Sequence, residues 1–307
     1  MNKLLSSFID PKREKELFFE KNISKHTPNF SYSSGNFSKL REEFGEFQQD
    51  SINGTNQRLD TILSRTNWKK EDFKGKFILE CGCGAGPDTE ILLSLGAKVI
   101  AVDLTSVEVT KQNLGENENY ALLQASIVDL PLIKNSFDLV YCHRVLQHTP
   151  DPSKTLDHIL NFVKPGGMVF VHSYGYSLFQ FCRWKYVLRP ITKRLPPQFL
   201  YNIINFSGSF LYSLGSFFFL FGKIGKAINY FIIPFENYSQ VPHYKNKSKD
   251  WLIRCGVMVT FDYLSPKYDS PIRPSVMKKI SKKHLNPKKI DFEVYTDKGT
   301  TLLRSLA

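Results

Sequence analysis

Leu79-Glu80-Cys81-Gly82-Cys83-Gly84-Ala85-Gly86 is the stretch on which the reading of the fold turns. An apolar run, Phe77-Ile78-Leu79, leads into it, and a helix-like segment, Thr89–Leu95, follows. Glycines let the backbone turn tightly and let a ligand approach main-chain N–H groups. Between a strand and a helix, such a loop reads as a ligand site. The same grammar continues downstream. Lys98–Val102 reads as a strand ending at Asp103, and Ser106 can cap a helix through about Leu114. Ala121–Gln124 and Phe137–Tyr141 are further strands. Thr155–Val163 is a helix stopped by Lys164-Pro165-Gly166-Gly167, and Met168–His172 is a fifth strand. Phe292–Thr296 and Thr301–Leu306, around Lys298-Gly299, read as a closing antiparallel hairpin. Strands alternating with helices imply an α/β, Rossmann-like fold with a mostly parallel sheet.

Two cofactor classes compete for the loop. Dinucleotide sites space their glycines G-x-G-x-x-G and set pyrophosphate on the helix N-terminus. Here the spacing is G-x-G-x-G, with Glu80 immediately before it. A carboxylate aimed at the loop repels pyrophosphate and suits a cationic amino-acid or sulfonium group. Asp103 stands where either class places an acid for ribose hydroxyls, so it does not discriminate.

ILECGCGAGPDTEILLSLGAKVIAVDL resembles the first two motifs of the class I methyltransferases that use S-adenosylmethionine. NSFDLVYCHRVLQHTPDPSKTLDHILNFVKPGGMVFV resembles their later motifs. The resemblance covers about residues 75–173. Residues 36–74 and FDYLSPKYDSP at 261–271 also look like segments of a bacterial subgroup. It implies a seven-stranded sheet of order 3-2-1-4-5-7-6 and S-adenosylmethionine as cofactor. It further implies that Glu80, Gly82, Gly84, Gly86 and Asp103 form the site, with Leu104 against the ribose–adenine edge. Relatives usually carry an acid after the third strand for the adenine amino group. Ser126 stands there, so its hydroxyl or the Ile127 backbone is expected to serve instead.

The residues after the fourth strand, Cys142-His143-Arg144-Val145-Leu146-Gln147-His148-Thr149, sit where an acceptor would enter. A hydroxyl acceptor needs a base, and histidine suits that work near neutral pH. His143 is the first candidate because it lies nearest the strand's end; His148 and His172 follow, with Tyr174 close by. The Asn/Asp-Pro-Pro-aromatic motif of base amino methylation is absent here. Cys142 stands where C5-methylating enzymes hold a nucleophile, but Tyr141 replaces the usual preceding proline. RNA is therefore a minor expectation. A small, apolar, lipid- or sugar-linked acceptor methylated at oxygen is the main one; a non-catalytic cofactor-binding protein is the other alternative.

The 307 residues suffice for a large core. Five cysteines, none in C-x-x-C spacing, speak against a zinc ribbon or a disulfide framework, so no metal and a cytoplasmic setting are expected. Charge is uneven. Residues 1–182 carry 20 Lys and Arg against 22 Asp and Glu, whereas residues 183–307 carry 21 against 7. Any anionic partner would meet the second part first. Leu195–Gly222 contains no charged residue and seven phenylalanines from 199 to 221. It reads as an apolar acceptor lid or a patch in peripheral contact with an anionic membrane; a crossing would separate the last strands from the first five. The expected organisation is an arm and cover helices over 1–72, a cofactor-binding core over 73–175, an apolar and basic insertion over 176–288, and the last two strands over 289–307. Residues 1–35 read as a loosely held arm. Phe37, Leu40, Phe44 and Phe47 read as one amphipathic cover helix; Leu59, Ile62 and Leu63 mark a second.

Overall fold

Short apolar runs bounded by turn residues produce the sheet of this protein. Its computed structural model describes residues 2–20, 23–26, 45–176, 181–297 and 299–306. The strands are β1 (Leu17–Glu20), β2 (Ile23–His26), β3 (Phe77–Cys81), β4 (Lys98–Asp103), β5 (Tyr120–Gln124), β6 (Phe137–His143), β7 (Val163–Tyr174), β8 (Phe292–Asp297) and β9 (Thr300–Ser305). They form one sheet of order β1-β2-β5-β4-β3-β6-β7-β9-β8. From β5 to β8 this is the expected 3-2-1-4-5-7-6 arrangement. β5, β4, β3, β6 and β7 run parallel, and β9 pairs antiparallel with both β7 and β8. Near-continuous burial along β3, β4 and β6 fits strands covered on both faces.

Two strands beyond the expected seven come from the N-terminal segment. The expected loose arm is ordered where it is described. Leu5, Phe8 and Ile9 are buried in the sheet's core, and Phe8 stacks on Phe137 with ring centroids 4.6 Å apart. β2 adds in parallel beside β5. Arg13 ties the segment down, donating to Asp129 at 2.7 and 3.0 Å and to Glu16. Three apolar residues within nine and one bidentate arginine outweigh the polar look of the segment. The helices before β3 also differ from expectation. Phe37, Leu40 and Phe44 lie outside the described residues, and Gly45–Gln48 is a single 3₁₀ turn. The second cover helix is present over Gln57–Thr66, with Ile62 buried.

Helices α1 (Lys3–Ser6), α2 (Asp50–Asn53), α3 (Gln57–Thr66), α4 (Pro87–Ser94), α5 (Val107–Leu114) and α6 (Pro152–Ile159) precede β7. Ser106 is the N-cap residue of α5, but its side chain makes no capping bond there. α6 ends at Ile159, and Lys164-Pro165-Gly166-Gly167 lies inside β7 instead of behind the helix. The pairing of β6 with β7 shifts register between Phe137 and Leu139, opposite those residues.

After β7 come α7 (Trp184–Thr192), α8 (Pro197–Phe219), α9 (Gly222–Phe231), α10 (Lys249–Leu264) and α11 (Pro274–Leu285). By packing, the described residues divide into two units. One holds those up to 26, 48–176 and 268–306; the other holds 45–47 and 181–267. The insertion expected to reach 288 therefore gives up its last helix. Met277 and Leu285 of α11 are fully buried in the core of the sheet unit. The second unit is helical, with Leu200, Ile204, Tyr212, Phe235 and Phe261 in a core of its own. Glycines let its helices approach. A Cβ on Gly208 would stand 2.9 Å from Val257 Cγ2, and one on Gly225 would collide with the Phe218 carbonyl oxygen. Among the described residues no helix is long and apolar enough to cross a membrane.

Candidate active site

β3 ends in the glycine loop, and three backbone conformations set the loop's shape. Gly82, Gly84 and Gly86 have φ of +91, +62 and +91°. Glycine visits that region without the steric cost of a Cβ. Space adds a second constraint at two of them. A Cβ on Gly82 would lie 2.3 Å from Val145 Cγ2, and one on Gly86 would lie 2.9 Å from Thr110 Cγ2. α5 grips the loop's carbonyls from outside. Thr110 Oγ1 donates to the Gly84 carbonyl at 2.6 Å, and Asn113 Nδ2 donates to that of Ala85 at 3.0 Å. Neither residue stands out in the sequence, since both lie inside a helix well past the glycines.

Asp103 closes the loop from the end of β4. Its Oδ2 accepts from the Gly84 N–H at 3.0 Å, and its Oδ1 accepts from Thr105 and Ser106 N–H at 3.0 and 3.2 Å. The carboxylate is thus oriented by three amides at the carboxyl edge of the sheet, where open α/β sheets bind ligands. Leu104 is half-buried beside it, and its carbonyl accepts from Gln124 Nε2 at 3.2 Å. Ser126 and Ile127 are buried at the end of β5. The Ser126 hydroxyl accepts from the Val128 N–H at 3.4 Å. Asp129, beside them, is engaged by Arg13.

Glu80 is buried beneath the loop and accepts from Thr89 Oγ1 at 2.6 Å. Burial, and then the neighbouring Asp88 carboxylate, push its pKa up to about 8.

Below the same edge lies an ionic network that sequence reading missed. Asp88, at the second position of α4, accepts from His143 Nδ1 at 2.7 Å and from the Tyr141 hydroxyl at 3.2 Å. Arg58 Nε of α3 stands 3.3 Å from its other oxygen. Arg65, two turns on, reaches His143 Nε2 with Nη1 at 2.7 Å. A guanidinium can only donate, so Nε2 accepts and Nδ1–H donates to Asp88. Both ring nitrogens of His143 are therefore engaged, and burial lowers its pKa to about 4. The first-ranked base of the sequence reading is a neutral linker between Asp88 and Arg65. Asp88 itself is held below the ordinary carboxylate range by Arg58 and His143 against its burial.

The structure does not bring the three histidines into one constellation. His172 meets His143 edge to face at 5.1 Å, is buried, and has no hydrogen-bond partner on either ring nitrogen among the described residues. Burial puts its pKa well below the usual histidine value. His148 stands apart on the loop after β6, half-buried and edge-on to Tyr174 at 6.0 Å. Its Nδ1 lies 3.0 Å from the Tyr268 carbonyl. A carbonyl only accepts, so Nδ1 carries a hydrogen. Tyr268 belongs to the 261–271 segment singled out in the sequence. Cys142 is fully buried, and burial pushes its thiol up to about 12, so it offers no thiolate. Among the described residues no group of three or more His, Cys, Asp or Glu is placed to hold a metal ion.

Residues 79–171 match the family model described as Methyltransferase domain. The ubiquinone biosynthesis O-methyltransferase of Pseudomonas fluorescens strain Pf0-1 is 34% identical over 115 residues, which cover 34% of this chain and 48% of that protein. The protein of the same name from Paraburkholderia phymatum is 35% identical over 128 residues, covering 39% of this chain and 55% of that one. The chain thus spans about half the length of the curated relatives it matches. Among solved structures, an S-adenosylmethionine dependent methyltransferase from Mesorhizobium loti is similar at 22% identity and a TM-score of 0.34, over 38% of this chain and 54% of its own. Phosphoethanolamine N-methyltransferase 2 of Haemonchus contortus, in complex with S-adenosyl-L-methionine, is similar at 22% identity and a TM-score of 0.37, over 50% of this chain and 39% of its own.

Proposed function

We propose that the chain, whose residues 79–171 match the family model described as Methyltransferase domain, uses S-adenosylmethionine to methylate a hydroxyl of a small, apolar, lipid- or sugar-linked acceptor. The observation that supports this best is the glycine cradle closed on Asp103. Its glycines turn the main chain through positive φ without side chains in the way, and its oriented carboxylate suits ribose hydroxyls. In this reading Glu80 faces the cationic amino-acid end, and Leu104, Ser126 and the Ile127 backbone border the adenine. Bound there, the cofactor supplies a methyl group on a positively charged sulfur, already activated for displacement. The chain's own work is to align the acceptor oxygen and to remove its proton. We assign that proton to His148, whose ring the Tyr268 carbonyl orients through Nδ1. The names of the similar O-methyltransferases favour oxygen over nitrogen as the methylated atom.

Protein incubated with methyl-labelled cofactor and a cell extract, split into lipid, glycan, small-molecule and RNA fractions, tests the reading. Label should enter the lipid, glycan or small-molecule fraction as a methyl ether. Label confined to RNA would contradict it.

Glu80 gives the site a pH signature. Bound cationic groups favour the ionised carboxylate, whereas the ligand-free site keeps the proton below about pH 8. Binding below that pH therefore releases a proton. Affinity for S-adenosylhomocysteine is expected to rise with pH between about 6 and 8, by up to about tenfold per unit, and to level off above. Glu80→Gln should flatten the profile. A pH-independent wild-type affinity across this window would remove Glu80 from the cationic end of the site.

A further inference from the structure

Five large apolar side chains of α8 sit on its outer face. A surface helix ordinarily buries its large apolar residues and shows polar ones to water. Here the buried face is built from Leu200, Ile204, Gly208, Tyr212 and Gly215, two of them glycines. The outer face presents Phe199, Ile203, Phe206, Phe210 and Phe217, all exposed, with Phe206 93% exposed. Their spacings of four, three, four and seven keep them on one stripe of a helix about 35 Å long. Leu220, Phe221 and Ile224 extend the exposed apolar surface into α9. Exposed patches of this kind mark contact with another apolar phase.

Charge says which phase. From Arg183 to Phe235 the sequence has seven Lys and Arg and no Asp or Glu. Arg183, Lys185 and Arg189 are used inside the helical unit. Arg183 pairs with Glu236, Lys185 lies 4.7 Å over the Tyr263 ring, and Arg189 donates to the Tyr263 and Pro266 carbonyls at 2.8 Å each. The other four are exposed and bracket α8: Lys193 and Arg194 before it, Lys223 and Lys226 after it. A second copy of the same face would set these cations against one another, because a two-fold interface is self-complementary. An anionic lipid surface satisfies both the stripe and its cationic ends. Such a helix lies in the interface plane with its apolar face about 5–10 Å deep.

We propose that α8 docks the protein in-plane on an anionic membrane, through Phe206, Phe210 and Phe217 with Lys193, Arg194, Lys223 and Lys226 at the lipid headgroups. The inference stands independently of the methyl-transfer reading, because its test measures no turnover. The full chain is floated with vesicles of phosphatidylcholine alone or with about one-third phosphatidylglycerol, at low and high salt. Binding is expected on the anionic vesicles, weakened at high salt because near-surface lysines and arginines act through screened charge. Phe206→Ser, Phe210→Ser and Phe217→Ser combined should lower the partition coefficient at least tenfold. Glutamine at the four cationic positions should abolish the preference for anionic lipid while circular dichroism stays that of the wild type. Absence of wild-type binding to either vesicle, or a triple variant that floats like the wild type, overturns the proposal. So does a lipid-free dimer in sedimentation that the triple variant abolishes, with no flotation. Binding that resists carbonate washing would contradict the in-plane geometry.

Discussion

His148→Ala is expected to lower kcat by about 10²–10⁴ on a hydroxyl acceptor, the usual range for loss of a general base, and to leave affinity for S-adenosylhomocysteine within about twofold. The reasoning is geometric. Of the three histidines near the sheet's carboxyl edge, His148 alone is half-buried instead of buried, and the Tyr268 carbonyl orients its ring through Nδ1. His143 spends both nitrogens on Asp88 and Arg65. His172 is buried, and burial puts its pKa well below the usual histidine value. His143→Ala should act through stability instead, losing activity and thermal midpoint together. Single-turnover kinetics with the labelled acceptor separates these effects. A His148→Ala enzyme that turns over at the wild-type rate would refute the assignment and imply an acceptor already nucleophilic.

Asp88→Ala is expected to destabilise the sheet unit by about 3–5 kcal/mol, the cost of breaking a buried ion pair by removing one partner. Asp88 is the acid at the centre of the network, with Arg58 at 3.3 Å, His143 at 2.7 Å and Tyr141 at 3.2 Å. Without it, the Arg58 guanidinium loses the carboxylate 3.3 Å away, and Arg65 is left on an imidazole that has lost its own acceptor. Arg65 already has its pKa lowered to about 10 by burial and by Arg144. Adding Arg65→Met to Asp88→Ala should recover part of the loss, since the second change removes an uncompensated charge. Urea unfolding gives both values. A single-variant cost under about 1 kcal/mol would show that solvent reaches the network and supplies what Asp88 does.

The strands and the glycine loop were legible because each rests on local pattern. Phe77-Ile78-Leu79 before three glycines, and the alternation of apolar runs with helical segments, need no knowledge of distant residues. What stayed hidden depends on contacts across the chain. Arg58 and Arg65 are seven apart, two turns of one helix face, which was the available sign that both could serve one network. Nothing local says that the network's acid is Asp88, whose place near the start of α4 reads only as a favourable charge at a helix N-terminus. The N-terminal hairpin was misread for a similar reason. Leu5, Phe8 and Ile9 are too few for a periodic signal, yet the core's edge receives all three. His143 shows the limit of motif position. Its distance from the strand's end favoured it as a base, and its partners, 55 and 78 residues away in sequence, decide otherwise.

The central claim, that the cradle between Gly82 and Asp103 holds S-adenosylmethionine, is tested most directly by calorimetric titration with S-adenosylhomocysteine. The wild type should bind it, and Asp103→Ala should weaken binding by about 1.5–3 kcal/mol for lost charge-assisted hydrogen bonds. NAD should give no heat of binding under the same conditions. Unchanged affinity in the Asp103→Ala variant, or tight binding of NAD by the wild type, would contradict the account.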